Sequence, residues 1–379
     1  MQTAESDRQT DRQTYYYHLN GLKGFACFLV MIGHYLGLYK YAQSFVPSIK
    51  TIDVIYNSVF SFLISEGYWL YLFFVVSGYL VSQSKITNVK TLVIKSVNRF
   101  LRLAFPILFS YSIIYLIYLT VGFHTAETSA LFQCQWFQKY YLDTYSIKHV
   151  LISPFEVLLL GKARLNGPYW VLRMMFISSL IIYLIHYLYF KLKASQYESF
   201  SFSVLMIITI FSCFLSPIIT ACLAGMLVSF YEKSDITTKP CYAFWFIVIA
   251  MAVYFLPDTL NSIIFFAALI VFIPRIRLLN TIFSSKPFQF AGSISWGIYS
   301  FHWPIICSVG ALSIVGLSTQ IGIIEAYTVT FFFVLILTVL LSVCFFYSLE
   351  RLAASLTKKM NSLLLHLLNR TKNELSTQR

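Results

Sequence analysis

Two ionisable residues, Lys23 and His34, interrupt the first long apolar stretch of the chain, which runs from Asn20 to Tyr35. They lie eleven residues apart. At about 100° per residue that is three helical turns plus about 20°, so they share one face, roughly 16 Å apart along the axis. Ionisable side chains inside a bilayer are costly and generally face protein or a watery cavity, where they serve function. Neutral imidazole accepts a proton near physiological pH, which makes His34 a candidate general base. The plainer alternative is a core histidine bonded to a neighbouring helix. Asn20, Lys23, Cys27, Met31 and His34 run down one face, so the polar stripe is continuous. Lys23 sits about two turns from the bilayer centre and could equally snorkel to the interface.

Arg99 and Arg102 open another apolar stretch and, three apart, occupy neighbouring positions on a helix face. Guanidinium groups bind phosphate in bidentate geometry, although a basic anchor at the membrane surface would look the same. A soluble, phosphate-bearing donor such as coenzyme A would meet Arg99, Arg102 and Lys23 first. Ser77 and Gly78, inside Phe73–Leu80, are small enough to let helices approach closely. His302 lies two residues before Pro304, where freed backbone carbonyls suit either a cavity lining or a capped helix break. Glu66 and Arg173 are further charges near the ends of apolar stretches. The chain has no G-x-S-x-G, no glycine-rich phosphate loop, no H-E-x-x-H and no carboxylate pair of glycosidase type. Its seven cysteines form no C-x-x-C and no zinc-like spacing with histidine, so they read as packing residues and no metal is expected.

These residues must be positioned by a membrane domain. Of the 379 residues, 58% are apolar and 11% charged, and the mean hydropathy is +0.71. A soluble protein could not hide that much apolar surface. The patterning predicts an all-α integral membrane protein with about ten spans, at 19–39, 66–84, 99–121, 168–190, 201–216, 217–231, 241–256, 259–273, 288–312 and 321–347. The pair either side of Ser216-Pro217 is the weakest, since only those two residues separate them. Connections alternate in charge: Lys85, Lys90, Lys95, Arg99, Lys191, Lys193, Lys233, Lys239, Arg275, Arg277 and Lys286 fall on one side. Those near 216, 257 and 313–320 carry no Lys or Arg. The positive-inside rule then places both termini in the cytoplasm, in a plasma (inner) membrane protein.

The net charge of +13 follows this topology, so nucleic acid is not an expected partner. Three parts are expected: a polar tail over 1–17, a transmembrane domain over 18–347 and a basic amphipathic tail over 348–379. The first tail does not resemble a signal peptide. In the last, Leu349, Leu352, Leu356, Met360, Leu364 and Leu367 recur at helical steps beside Lys358 and Lys359, which suits a helix lying on anionic lipid. The long connections 40–65 and 122–167 remain. The second, with Trp136, His149 and Glu156, reads either as an acceptor platform or as a solvated loop with a short surface helix.

Four elements in order resemble the acyltransferase-3 family of integral-membrane acyltransferases, across about residues 18–352. They are Leu19-Asn20-Gly21-Leu22-Lys23-Gly24-Phe25-Ala26 followed by His34, Phe73 through Leu80, Arg99 to Arg102, and Ile294 through Pro304. The resemblance implies transfer of an acyl group, acetyl by family frequency, from cytoplasmic acyl-CoA to a hydroxyl of a cell-envelope polysaccharide or lipid-linked sugar. It makes His34 and Lys23 central, puts Arg99 and Arg102 near the donor, and adds Asn20, Ser77, Trp170 and His302 as substrate-binding candidates. The fourth-span segment Gly167-Pro-Tyr-Trp170-Val-Leu-Arg173 is similar to that of some members. Two departures stand out. Asn20 and Lys23 replace the usual Asp and Arg, and Arg173 and Met175 stand where many members carry an acidic residue. A transporter or flippase of a lipid-linked sugar, and a non-catalytic relative acting in envelope assembly, are the competing readings.

Overall fold

The structure, a computed structural model, describes residues 2–42, 50–193, 208–209, 211–212, 216–233 and 258–377. Its regular secondary structure is helical throughout the described residues. Helix α1 (Gln2–Lys40) runs without a break through the polar tail and the Lys23–His34 stretch. After the short α2 (Lys50–Tyr56) come α3 (Glu66–Val81) and α4 (Val89–Thr120). The connection 122–167 folds into α5 (Thr125–Phe132), α6 (Gln135–Gln138) and α7 (Ile147–Phe155). Then follow α8 (Trp170–Lys193), α9 (Pro217–Lys233) and α10 (Asp258–Phe272). The last part comprises α11 (Arg277–Ser284), α12 (Lys286–Ser293), α13 (Ser295–Ile305), α14 (Ala311–Ile321), α15 (Ile323–Phe345) and α16 (Arg351–Thr377).

Five helical runs among the described residues are long and apolar enough to cross a membrane: 17–40, 89–120, 167–191, 295–321 and 323–367. A sixth is reached if the pair bent by 94° around Ile276 is one span. The chain is therefore a multi-pass membrane protein. Of the ten expected spans, 241–256 and most of 201–216 lie outside the described residues. Those at 66–84 and 217–231 are shorter apolar helices, α3 and α9.

Three boundaries differ from expectation for local reasons. Helix α4 starts ten residues before Arg99, because Asn88 caps it: its side chain accepts from the Thr91 backbone N–H at 2.9 Å while Thr91 Oγ1 accepts from Asn88 N–H at 3.2 Å. Such a cap is worth about 1 kcal/mol and acts where the sequence is still polar, so the apolar boundary does not mark it. The span expected at 288–312 is broken at Ile294, and its helical part continues from Ser295 through a π turn (Ile306–Gly310) to Ile321. Likewise α15 passes through a π turn (Phe346–Glu350) directly into α16, which packs against α4. Ala353 and Thr357 are buried, whereas Leu352, Met360 and Leu367 of the expected lipid-facing stripe stay exposed.

Helix α1 occupies the centre, flanked by α3, α11, α12 and α13. Small residues set these distances. A Cβ on Gly24 would stand 2.3 Å from the backbone nitrogen of Gly292. Where α3 crosses α9, a Cβ on Gly78 would meet the Cys222 carbonyl oxygen at 1.9 Å. On the other side of α1, Tyr35 and Tyr327 each donate a hydroxyl to the other's carbonyl oxygen, at 2.6 and 2.9 Å. Segment 122–167 is packed down rather than solvated: Phe132, Phe137, Val157 and Leu165 are all within the core.

Candidate functional site

The site has two compartments on the same face of α1. The first is a cavity of about 380 Å³ between α1, α8, α13 and the turn after α15. Asn20, Lys23 and Cys27 line it from α1, Trp296 and Tyr299 from α13, and Glu350 from the turn. Asn20 is held by donating to the Gln289 backbone and side-chain oxygens at 3.3 and 3.2 Å, and Cys27 by donating to the Ser295 carbonyl at 3.3 Å. Lys23 and Glu350 face each other closely enough for their charges to interact, yet form no ion pair. Glu350 Oε2 and Trp296 Nε1 are buried there without a hydrogen-bond partner among the described residues.

The second compartment holds the histidines. His34 Nδ1 lies 2.9 Å from the Val30 carbonyl oxygen, and His302 Nδ1 lies 2.8 Å from that of Ile298. A carbonyl can only accept, so each ring donates from Nδ1, and the neutral tautomer leaves Nε2 to take a proton. The two ring centres are 5.1 Å apart, and His302 Nε2 is buried without a partner among the described residues. Trp303 lies 5.4 Å from the His34 ring. Above it, Trp136, Phe137 and Tyr140 pack on Trp303 at 5.4, 5.9 and 4.8 Å, so segment 122–167 roofs the histidines.

Tyr299 links the compartments. It lines the cavity, and its ring centre is 6.1 Å from His302 and 6.5 Å from Phe73. Its hydroxyl donates to the Pro168 carbonyl, and it stacks on Tyr169 at 5.8 Å. Tyr169 in turn donates to Ser300 Oγ at 2.6 Å and lies 2.8 Å from the Ser110 hydroxyl. This buried network fixes the start of α8 against α13. In the roof segment, burial pushes the Tyr145 phenol up to about 12 and raises the Cys134 thiol, so both stay protonated at neutral pH.

The structure thus brings Asn20 and Lys23 to one cavity and His34 to His302. Arg99 is placed elsewhere: its Nη2 donates to Ser77 Oγ at 3.0 Å and its Nε to Ser179 Oγ at 3.1 Å, tying α4 to α3 and α8. Arg102 is exposed. Trp170 is 46% exposed at the start of α8, while its neighbours Val171 and Leu172 and the more distant Met175 line the cavity. Replacing Arg99 by Lys keeps the charge but cannot serve both serines, since an ammonium has no fork. The variant is expected to lose about 1–3 kcal/mol, read as a lower melting temperature in detergent.

Glu350 and Trp296 are the residues that sequence reasoning missed. Glu350 follows the last apolar stretch and reads as a tail residue; only the unbroken helical turn aims it back at Lys23. It supplies a carboxylate to a cavity where Asn20 and Met175 supply none. Among the described residues, no three His, Cys, Asp or Glu side chains group as metal ligands.

The profile of acyltransferase family 3, described as an acyltransferase domain, matches residues 16–347. No curated protein and no solved structure matches the chain.

Proposed function

This chain belongs to the acyltransferase-3 family of membrane acyltransferases, and from that premise we propose that it transfers an acyl group, most simply acetyl, from acyl-CoA to a hydroxyl of a cell-envelope polysaccharide or lipid-linked sugar. The proposal keeps ten spans in the plasma membrane with both termini in the cytoplasm, as the charge of the connections predicts. The donor enters at the Lys23 end of α1, with its phosphates near exposed Arg102, whose neighbour one turn back, Arg99, is held by Ser77 and Ser179, and its arm in the cavity that Lys23 and Asn20 line. The acceptor arrives from the opposite side, at the His34 end, below the roof. Ser77 acts through Arg99, whose guanidinium it holds. Trp170, exposed next to the cavity-lining Val171, contacts substrate.

In the chemical step the acceptor hydroxyl gives its proton to His34 Nε2 as its oxygen attacks the thioester carbonyl. The C–S bond breaks, and the leaving thiolate takes that proton from His34 Nε2, which returns the imidazole to its neutral form. His302, set 5.1 Å from His34, orients the acceptor. The single observation that supports this reading is the imidazole of His34, fixed through Nδ1 on the helix face that also carries Lys23. The test is mass spectrometry of envelope glycans and lipids from cells with and without the protein. A mass increment of one acyl group that requires the protein is the expected result; identical envelopes would overturn the reading.

A further inference from the structure

The cavity between α1, α8 and α13 carries polar groups that the protein leaves unsatisfied, and they form a pattern. Among the described residues, Trp296 Nε1 is a donor with no partner and Glu350 Oε2 an acceptor with no partner, both buried. Lys23 adds a cation that closes no ion pair among the described residues. A buried polar group without a hydrogen bond costs about 1–3 kcal/mol, so two such groups beside a lysine at one cavity mark a place where a ligand supplies the missing bonds. We propose that this cavity holds the amide-bearing arm of the thioester donor, a pantetheine-type chain, with Trp296 and Lys23 donating to its amide carbonyls and Glu350 accepting from an amide N–H.

Three features select that chemistry. The wall charges of Lys23 and Glu350 cancel, which favours a neutral dipolar ligand over an ion. An amide offers both an acceptor and a donor, matching both kinds of unsatisfied group. The rest of the wall is apolar, with Leu70, Phe73, Leu172 and Phe346, which suits the methylene and methyl groups between two amides. At about 380 Å³ the space lies within the range of small-molecule sites. Tyr299 lines it and adjoins His302, so an arm lying here with its sulfur end at Tyr299 points that end toward the histidines. The inference rests on the acyl-CoA reading above and assigns the residues that hold the donor's middle section.

The experiment uses the full chain in nanodiscs and S-methyl-pantetheine, which lacks both the nucleotide and a reactive thiol. Equilibrium dialysis is expected to show saturable binding. Its diester analogue, with oxygen in place of both amide N–H groups, is expected to bind about tenfold more weakly. Trp296→Phe keeps the ring but removes the N–H, and Glu350→Gln removes the charge; each is expected to weaken the amide ligand roughly three- to tenfold. A measurement on the unaltered chain guards against variants that do not fold. S-methyl-pantetheine should slow alkylation of Cys27, a cavity-lining thiol, as read by peptide mass mapping.

Equal binding of both analogues, unchanged affinity in both variants, or no protection of Cys27 would each overturn the assignment. So would retention of phosphatidylethanolamine by the wild type and its loss in Glu350→Gln, since a lipid headgroup would then be the occupant. The two readings fail separately. If the protein acylates envelope molecules from acyl-CoA but does not bind S-methyl-pantetheine, the cavity assignment falls and the function stands. If the amide ligand binds as expected but no acyl group is transferred, the function falls and the cavity assignment stands.

Discussion

Replacing His34 by Ala is expected to remove the protein-dependent acyl increment from the envelope at matched membrane abundance, with initial rates falling about 10²- to 10⁴-fold. An acceptor hydroxyl is a poor nucleophile until its proton is taken, and His34 presents a nitrogen able to take it. Its Nδ1 is committed to Val30 at 2.9 Å, which fixes both the tautomer and the direction of the ring. His302, although of the same residue type and 5.1 Å away, is entirely buried, so substitution there should weaken acceptor use without reproducing the full loss. A loss of rate with unchanged donor affinity is the signature of a proton acceptor. If His34→Ala envelopes match the wild type, the catalytic assignment fails, and a transport or assembly role accounts better for the family domain.

The second large effect is structural. Gly225→Ala should prevent α3 and α9 from docking, because the new Cβ would stand 1.9 Å from the Val75 carbonyl oxygen. Gly78 makes the reciprocal contact with Cys222, so the crossing is backbone against backbone and no side chain can swing aside. Overpacking commonly costs 1–3 kcal/mol; here the helices themselves must separate, so at least about 3 kcal/mol is expected. Alanine also gains about 1 kcal/mol of helix propensity over glycine, and that gain is too small to offset the clash. Gly316→Ala is the control, since nothing among the described residues lies within 4 Å of its Cβ position. The expected outcome is a sharp fall in monodisperse protein and melting temperature for Gly225→Ala, with none for Gly316→Ala. Equal melting of the two would refute the packing argument. The consequence reaches the site, because α3 also flanks α1 and contributes Phe73 and Ser77.

Much of this was legible in the order of the residues. Composition sufficed for a helical, multi-pass membrane protein, because lipid leaves the backbone of a spanning segment few ways to satisfy its own hydrogen bonds. Four spaced motifs pointed to the family that the matched profile identifies over residues 16–347. Helical periodicity alone put Asn20, Lys23 and Cys27 on one face, and all three line the cavity. Boundaries were less legible, since α4 begins where a polar capping box closes rather than where apolar residues start.

What no local pattern could supply were relations between helices far apart in the chain. Glu350 and Lys23 are separated by 327 positions, and nothing in the spacing of either links them. Only the packing of the last helical turn against α1 and α13 brings them to one cavity. The same holds for His302 beside His34, for Trp303 under the aromatic roof and for Arg99, which reads as a phosphate clamp but is engaged by two serines of other helices. Periodicity fixes which face of a helix a side chain occupies, because 3.6 residues per turn is a local constraint. Which partner that face meets depends on the close approach of glycine-lined helices, and so is decided only when the tertiary structure forms.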